Sequence, residues 1–396
     1  MANDDVMKTM EPFSLVGGGP LYRLLVRARL IETDKPHVLK RAALFALISW
    51  LPLAVLSLIQ GVAFGAVDIP LFYDLAAYVR FLLAGPLLII AEAMIDPKIT
   101  HVASHFTHSG LVREDDLPKF RSGLSEASRL LDLTWVEPLL LVAVVVVTVS
   151  GFRVESYSGD ISTWSEIAVP SGPRATLAGW WFTVVSRPVY QFLLLRWLWK
   201  LFIWSFFLWR MSRLRLRLIA THPDLAGGLA FVGAGQARFA PVIFAVSSVV
   251  AAAVADAVLF GNEVLASYRV TIFAYAALPL VVFLAPLLVF SPRLIAVRRQ
   301  GLMEYGALAT GYTRSFHEKW VEGDTPGREP LLGSPDIQSL ADLANSYQIV
   351  RKMRIFPLNF EDILVLVGST LVPMLPLVLT VIPLKELLLR LVKLVL

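Results

Sequence analysis

From Ala42 onward, long uncharged apolar runs alternate with stretches dense in arginine and lysine. A helix needs about 20 apolar residues to cross the hydrocarbon of a bilayer, and it satisfies its own backbone polar groups while doing so. Seven runs meet that length, at 42–67, 71–95, 135–152, 177–203, 239–260, 270–290 and 363–384. The pattern predicts an all-α protein: a polytopic transmembrane helical bundle of about seven spans with cytoplasmic helical loops. The seventh run holds Pro373, Pro376 and Pro383, which predicts a kinked or re-entrant segment there.

The basic residues are distributed unevenly between the connecting segments. Lys plus Arg number 7 in residues 1–41, 5 in 96–134, 5 in 209–238 and 9 in 292–361. The alternate connections hold 0 (68–70), 2 (153–176) and 1 (261–269). By the positive-inside rule this places the N-terminus and the long loops in the cytoplasm. The tail beyond the seventh run would then lie outside, yet it carries Lys385, Arg390 and Lys393, and a hairpin returning it to the cytoplasm would resolve the conflict. The first long apolar run begins after Lys40 and Arg41, too far in and too long for a signal peptide.

Composition narrows the chemistry. Of 396 residues, 56% are hydrophobic and 17% charged, fewer charges than soluble domains carry, so lipid is the expected solvent. There is no cysteine, which removes disulfides, thiolate metal sites and cysteine nucleophiles. The net charge of +5 is explained by topology and implies no nucleic acid. Nor does the chain contain a Walker A loop, HExxH, a serine elbow or a dinucleotide glycine fingerprint.

The segments outside the spans are expected to be ordered in part. Residues 1–41 form a cytoplasmic segment in which 20–31 (PLYRLLVRARLI) reads as a basic amphipathic helix on the inner leaflet. The membrane domain, 42–291, carries the cytoplasmic loops 96–134 and 209–238. A helical cytoplasmic segment, 292–361, contains a Gly/Pro-rich linker at 322–335, followed by a helix that Ser334 caps and Pro335 and Asp336 begin. Its apolar face, Ile337, Leu340, Leu343, Ala344 and Tyr347, is expected to pack on the membrane-proximal core. Residues 362–396 close the chain as a span or hairpin with an amphipathic tail. No internal repeat is evident residue by residue.

Four stretches, WLPLAVLSLIQG (50–61), SRPVYQFLLLRWLWK (186–200), THPDLAGGLAFV (221–232) and SPDIQSLADLANSYQIVRKMR (334–354), resemble segments of a family of bacterial multi-pass inner-membrane proteins of uncharacterised activity. The resemblance extends over most of the chain. It implies a bacterial inner-membrane location and assigns no role to any residue.

Charges inside the spans are expensive and are the first candidates for function. At 1.5 Å per residue, Arg80 lies about 13 Å and Arg187 about 15 Å from the outer side, both near the midplane. Thr183, Tyr190 and Gln191 form a polar stripe with Arg187, and Pro188 loosens the adjacent turn. Asp256 shares a small-residue face with Ser248 and Ala252 and should point inward, while Glu92, Glu137 and Arg196 fall near the inner boundary. Arg80, Arg187, Gln191, Asp256 and Glu92 are therefore the candidate substrate- or ion-binding residues. The alternative is structural pairing, of Arg80 or Arg187 with Asp256 and of Glu92 with Arg196. Arg196, Lys200 and Arg210, near a helix end, are expected to snorkel to lipid phosphates.

His101, His105 and His108 line one face if 97–108 is helical and are the candidate metal ligands, for a divalent ion such as zinc. The bland reading is a cytoplasmic helix with interfacial histidines. The His-Pro-Asp of Thr221-His222-Pro223-Asp224 is similar to that of J-domain co-chaperones, but their soluble four-helix context is missing. Capping of a short helix by Thr221 explains it better. Trp180, Trp181, Trp197, Trp199, Trp204 and Trp209 read as interfacial belts.

Three functions follow as expectations. The first is a channel or transporter for an ion or small anionic solute, using the midplane arginines. The second is a non-catalytic membrane partner or signalling scaffold, working through its loops as a homo-oligomer or with a partner protein. The third is a metal-dependent membrane enzyme acting through the three histidines. The first two outweigh the enzyme, and the bilayer itself is the one partner all three require.

Overall fold

The computed structural model describes residues 13–31, 37–150, 161–169, 172–261, 264–322 and 334–380. In chain order the helices are α1 (Pro20–Arg27), α2 (Val38–Ile59), α3 (Leu75–His108), α4 (Leu117–Leu131), α5 (Val136–Val149), α6 (Leu177–Ser212), α7 (Ala230–Phe260), α8 (Leu265–Trp320), α9 (Pro335–Lys352) and α10 (Phe360–Val378). Two-residue strands, β1 (Glu166–Ile167) and β2 (Arg174–Ala175), pair antiparallel in the connection between α5 and α6. Six helices (α2, α3, α6, α7, α8 and α10) are long and apolar enough to cross a membrane. α5 makes a seventh if it is joined to the preceding Glu114–Leu131 segment across a bend of 49°. The weakest span is thus the third, whose 14 helical residues reach only about 21 Å. α10 runs from a capping box at Asn359 and Asp362 into a tighter 3₁₀ turn from Val372, where the prolines begin. The tail beyond residue 380, with the hairpin expected there, and most of the 322–335 linker lie outside the described residues.

Several helices are longer than a bilayer crossing needs, with further turns at the end of the bundle that carries the basic loops, the basic end. α3 continues to His108, α6 to Ser212 and α8 through a further thirty residues, Ser291–Trp320. The overrun changes the tryptophan reading. Trp180 and Trp209 are exposed as a belt requires, but Trp197 and Trp204 are buried. Trp197 donates its indole N–H to the Leu88 carbonyl at 3.0 Å and Trp204 to Gln236 at 2.9 Å, so both are core residues with a satisfied polar edge.

α9 begins where its sequence predicts. Ser334 is its cap, and the serine hydroxyl accepts the Asp336 N–H at 3.2 Å. The helix packs on the α8 extension instead of the membrane-proximal core. Asp336 accepts from Lys319 at 2.8 Å and from the Trp320 indole at 2.9 Å, and Gly301 leaves room for Val350. The two helices form a hairpin arm projecting from the basic end.

α3 and α6 start in the same way. Asp74 accepts the Ala77 N–H at 2.7 Å, and Thr176 accepts the Gly179 N–H at 2.9 Å, each capping its helix. After one turn each helix widens into a π-type turn, at Val79–Ala84 and at Phe182–Ser186. Pro86 and Pro188 follow, each eleven residues beyond the first helical leucine. A proline inside a helix has no N–H and crowds the carbonyl four residues back; an extra residue in the preceding turn relieves both problems. The two helices thus share a local device that their side chains do not advertise.

Candidate functional site

Glu92, in the basic-end half of α3, is the centre of a buried charge network. Its Oε2 meets Arg41 of α2 at 2.5 Å, and its Oε1 meets Lys200 at 2.5 Å and Arg196 at 3.3 Å, both from α6. Arg196 also reaches Glu137 of α5 at 3.3 Å. All five residues are under a tenth exposed, and Lys200 is 2% exposed with its ammonium 4.8 Å from the Trp197 ring. Four helices are therefore tied through two carboxylates, with Glu92 at the hub. Three cations against two carboxylates would leave an excess positive charge in a region that solvates charge poorly. Asp96, one turn beyond Glu92, supplies the nearby third acid.

The segment before α1 closes this network. Asp96 accepts the Ser14 hydroxyl at 2.9 Å and the Leu15 N–H at 2.6 Å. Thr100 donates to the Phe13 carbonyl, and Phe13 stacks on Phe207 at 5.2 Å beside Trp204. Further along, Asp132 accepts the Gly19 N–H at 3.2 Å and Glu137 accepts the Leu21 N–H at 2.5 Å. Gly19 has φ of +90° and passes close to the Glu137 carboxylate, where a side chain would be strained. Residues 13–19 thus lie over the charges as a strap, with Phe13 and Leu15 buried.

The pairing of Glu92 with Arg196, expected from depth, is present, but the network is larger than that pair. Arg41 and Lys200 join it, and both Arg196 and Lys200 turn inward where the sequence suggested snorkelling. The signal was there in spacing: Arg196 and Lys200 are four apart on α6, as Glu92 and Asp96 are on α3, so each pair shares a helix face. Arg210 does lie at the surface, paired with Glu126 at 2.7 Å.

The other candidates are placed separately. α3 begins at Leu75 and not at residue 71, so Arg80 lies about 8 Å from that helix start, shallower than the 15 Å of Arg187. Arg80 is buried in the π-type turn, its guanidinium 5.9 Å from the rings of both Phe81 and Phe182. Arg187 is half-buried, directly after the second π-type turn. Gln191 accepts from Thr148 of α5 at 3.3 Å. Asp256 points inward as expected and is fully buried, but its hydrogen bonds go to the backbone N–H groups of Leu75, at 3.0 Å, and Ala76, at 2.7 Å. With Asp74 it places two carboxylates at the positive end of α3. Asp74 also accepts the indole N–H of buried Trp164 at 2.7 Å, which fastens the β1–β2 connection over this end.

His101, His105 and His108 lie along the α3 overrun. The rings of His101 and His105 are 6.1 Å apart, His105 packs on Phe231 at 4.4 Å, and His108 meets the Ser104 carbonyl at 2.9 Å. Among the described residues no three or more His, Asp or Glu are grouped so as to hold a metal ion.

Thr221 caps no helix among the described residues. Asp224 organises the loop instead: its carboxylate accepts the N–H groups of Ala226 at 2.8 Å, Gly228 at 3.1 Å and Ala230, the first residue of α7, at 3.0 Å. His222 adds a contact at 2.8 Å. Burial alone would raise the Asp224 carboxyl, but these donors hold it below the usual carboxylate range.

No protein-family model, curated protein or solved structure matches this chain. The long apolar helices are those of an integral membrane protein.

Proposed function

We propose that the chain provides a path for protons or a small ion across a bacterial inner membrane, with the N-terminus and basic end in the cytoplasm. The observation that carries this reading is a succession of buried and half-buried polar groups along α3 and α6, which meet directly where Glu92 contacts Arg196 and Lys200. On α3 they are Arg80 and Glu92, both buried, with half-buried Asp74 at the cap and half-buried Asp96, a spread of about 33 Å, comparable to the hydrocarbon thickness. On α6 they are Ser186, Tyr190, Arg196 and Lys200, all less than a tenth exposed. Ionisable groups inside a bilayer are costly and mark ion paths and proton relays. A helix needed only as a strut would not require four of them.

The described conformation is closed at the basic end by the strap of residues 13–19. Opening would uncover Asp96 and, behind it, Glu92. Arg41, Arg196 and Lys200, in contact with Glu92 and Glu137 and near Asp96, put ionisable groups of both signs there, which suits a relayed proton, while Asp74 and Asp256 present acids at the other end.

The test is flux through purified protein in vesicles loaded with a pH-reporting dye, with potassium and valinomycin setting the potential. Proton or anion flux above that of protein-free vesicles is expected, lost on Glu92→Gln. Wild-type vesicles no leakier than empty ones toward protons, sodium, chloride and phosphate would reject the reading.

The hairpin arm of α8 and α9 favours a second reading, a membrane-anchored platform. An open groove of about 1020 Å³ runs along it, lined by Met303, Gly306, Thr310, Arg314 and Tyr347. Recovery of a specific partner that an arm-deleted chain cannot bind, together with absent flux, would select it.

A further inference from the structure

We propose that the arginine-bearing face of α1 binds the headgroups of anionic phospholipids in the leaflet at the basic end. Nothing in this depends on the ion path. Residues 12–31 contain Arg23, Arg27 and Arg29 and no acid. Glu11 precedes the stretch, and Glu32 and Asp34 follow it.

The position of α1 is fixed by its neighbours. Gly19 and Leu21 donate their N–H groups to Asp132 and Glu137, which bracket the start of α5. Trp135, between them in sequence, is 58% exposed at the point where that apolar helix begins, as an interfacial tryptophan should be. α1 is thereby held at the depth where hydrocarbon gives way to headgroups.

Its two sides differ. Leu21, Tyr22 and Leu25 are half-buried against the protein, and Ile31 beyond the helix is buried. The outward side exposes Leu24 (61%) and Val26 (43%) together with Arg23 and Arg27, and Arg29, just beyond the helix end, is exposed as well. Water is a poor solvent for the first two and hydrocarbon for the other three. The headgroup layer accepts both, because an arginine stem lies along acyl chains while its guanidinium reaches a phosphate. Guanidinium matches phosphate oxygens in a bidentate fork, and three of them exposed within seven residues favour a lipid with net negative charge over a zwitterion.

The experiment uses the full chain reconstituted in nanodiscs of equal phosphatidylcholine and phosphatidylglycerol, with the lipid retained after delipidation identified by mass spectrometry. Wild type should retain phosphatidylglycerol preferentially. Each arginine near an anionic surface contributes up to about fivefold, so R23Q/R27Q/R29Q should lose roughly tenfold or more of that preference. R23K/R27K/R29K should keep most of it, which separates lost charge from lost folding. R113Q/R121Q/R314Q, three exposed arginines elsewhere, should keep it all. Equal losses in the two glutamine triples would overturn the proposal. So would full competition by millimolar inorganic phosphate, which would assign the site to a free anion, or capture of an acidic protein with no lipid preference.

Discussion

The ammonium of Lys200 and the carboxylate of Glu92 meet at 2.5 Å in an interior where neither residue is more than 5% exposed. The contact joins α3 to α6, and the same carboxylate holds Arg41 and Arg196. One acid thus balances cations from two helices, and its removal is felt by all of them.

Glu92→Gln should therefore cost about 3–5 kcal/mol, because it leaves three buried cations short of a counter-charge. Lys200→Met alone should cost less, since Arg41 and Arg196 still satisfy Glu92. The two changes together should be less damaging than their sum. Thermal unfolding in detergent reads the cycle; strict additivity would show that the two side chains do not interact.

Asp256 acts through the backbone. Asp256→Ala removes the acceptor for Leu75 and Ala76 and should destabilise by about 1–3 kcal/mol. Asp256→Asn keeps one acceptor oxygen and should be milder. Hydrogen exchange at the first turn of α3 should quicken in both, and unchanged exchange would contradict the capping role.

Asp224 gives a pH dependence whose sign can be fixed. Its carboxyl is lowered in the folded state, so its stabilisation is present above the unfolded value of about 3.9 and is lost as pH falls through the lower folded value. Protease sensitivity of the 221–230 loop should rise on acidification below about pH 4. Asp224→Asn should be more sensitive at neutral pH and show little of that acid transition. A wild-type acid profile in the variant would move the effect to another group.

Orientation can be read by cysteine labelling, because the chain has no cysteine of its own. Cysteine at Pro173, exposed beside β2, should react with an impermeant reagent in intact cells, and cysteine at Ser315, exposed on the α8 extension, only after lysis. The opposite pattern would invert the topology and the side assigned to the strap.

That this is a helical membrane protein, where most of its spans fall and which end collects the basic loops are all legible in the linear order of residues. Those properties are one-dimensional: run length sets what can cross hydrocarbon, and local charge sets which end stays basic. Ser334 at the head of α9 was legible for the same reason, since a cap is decided within four residues. The partners were not. Glu92, Glu137 and Arg196 could be placed at one depth by counting residues, but depth leaves rotation about the helix axis open. Lys200 pointing inward, Arg41 joining from α2 and Asp256 turning to the start of α3 depend on how the helices rotate against one another. The start of α3 at Leu75, which made Arg80 shallower, depended on Asp74, Trp164 and Asp256 meeting at one helix end. Such matters are settled by packing in three dimensions, because a buried charge or N–H group takes whichever partner the fold brings within about 3 Å.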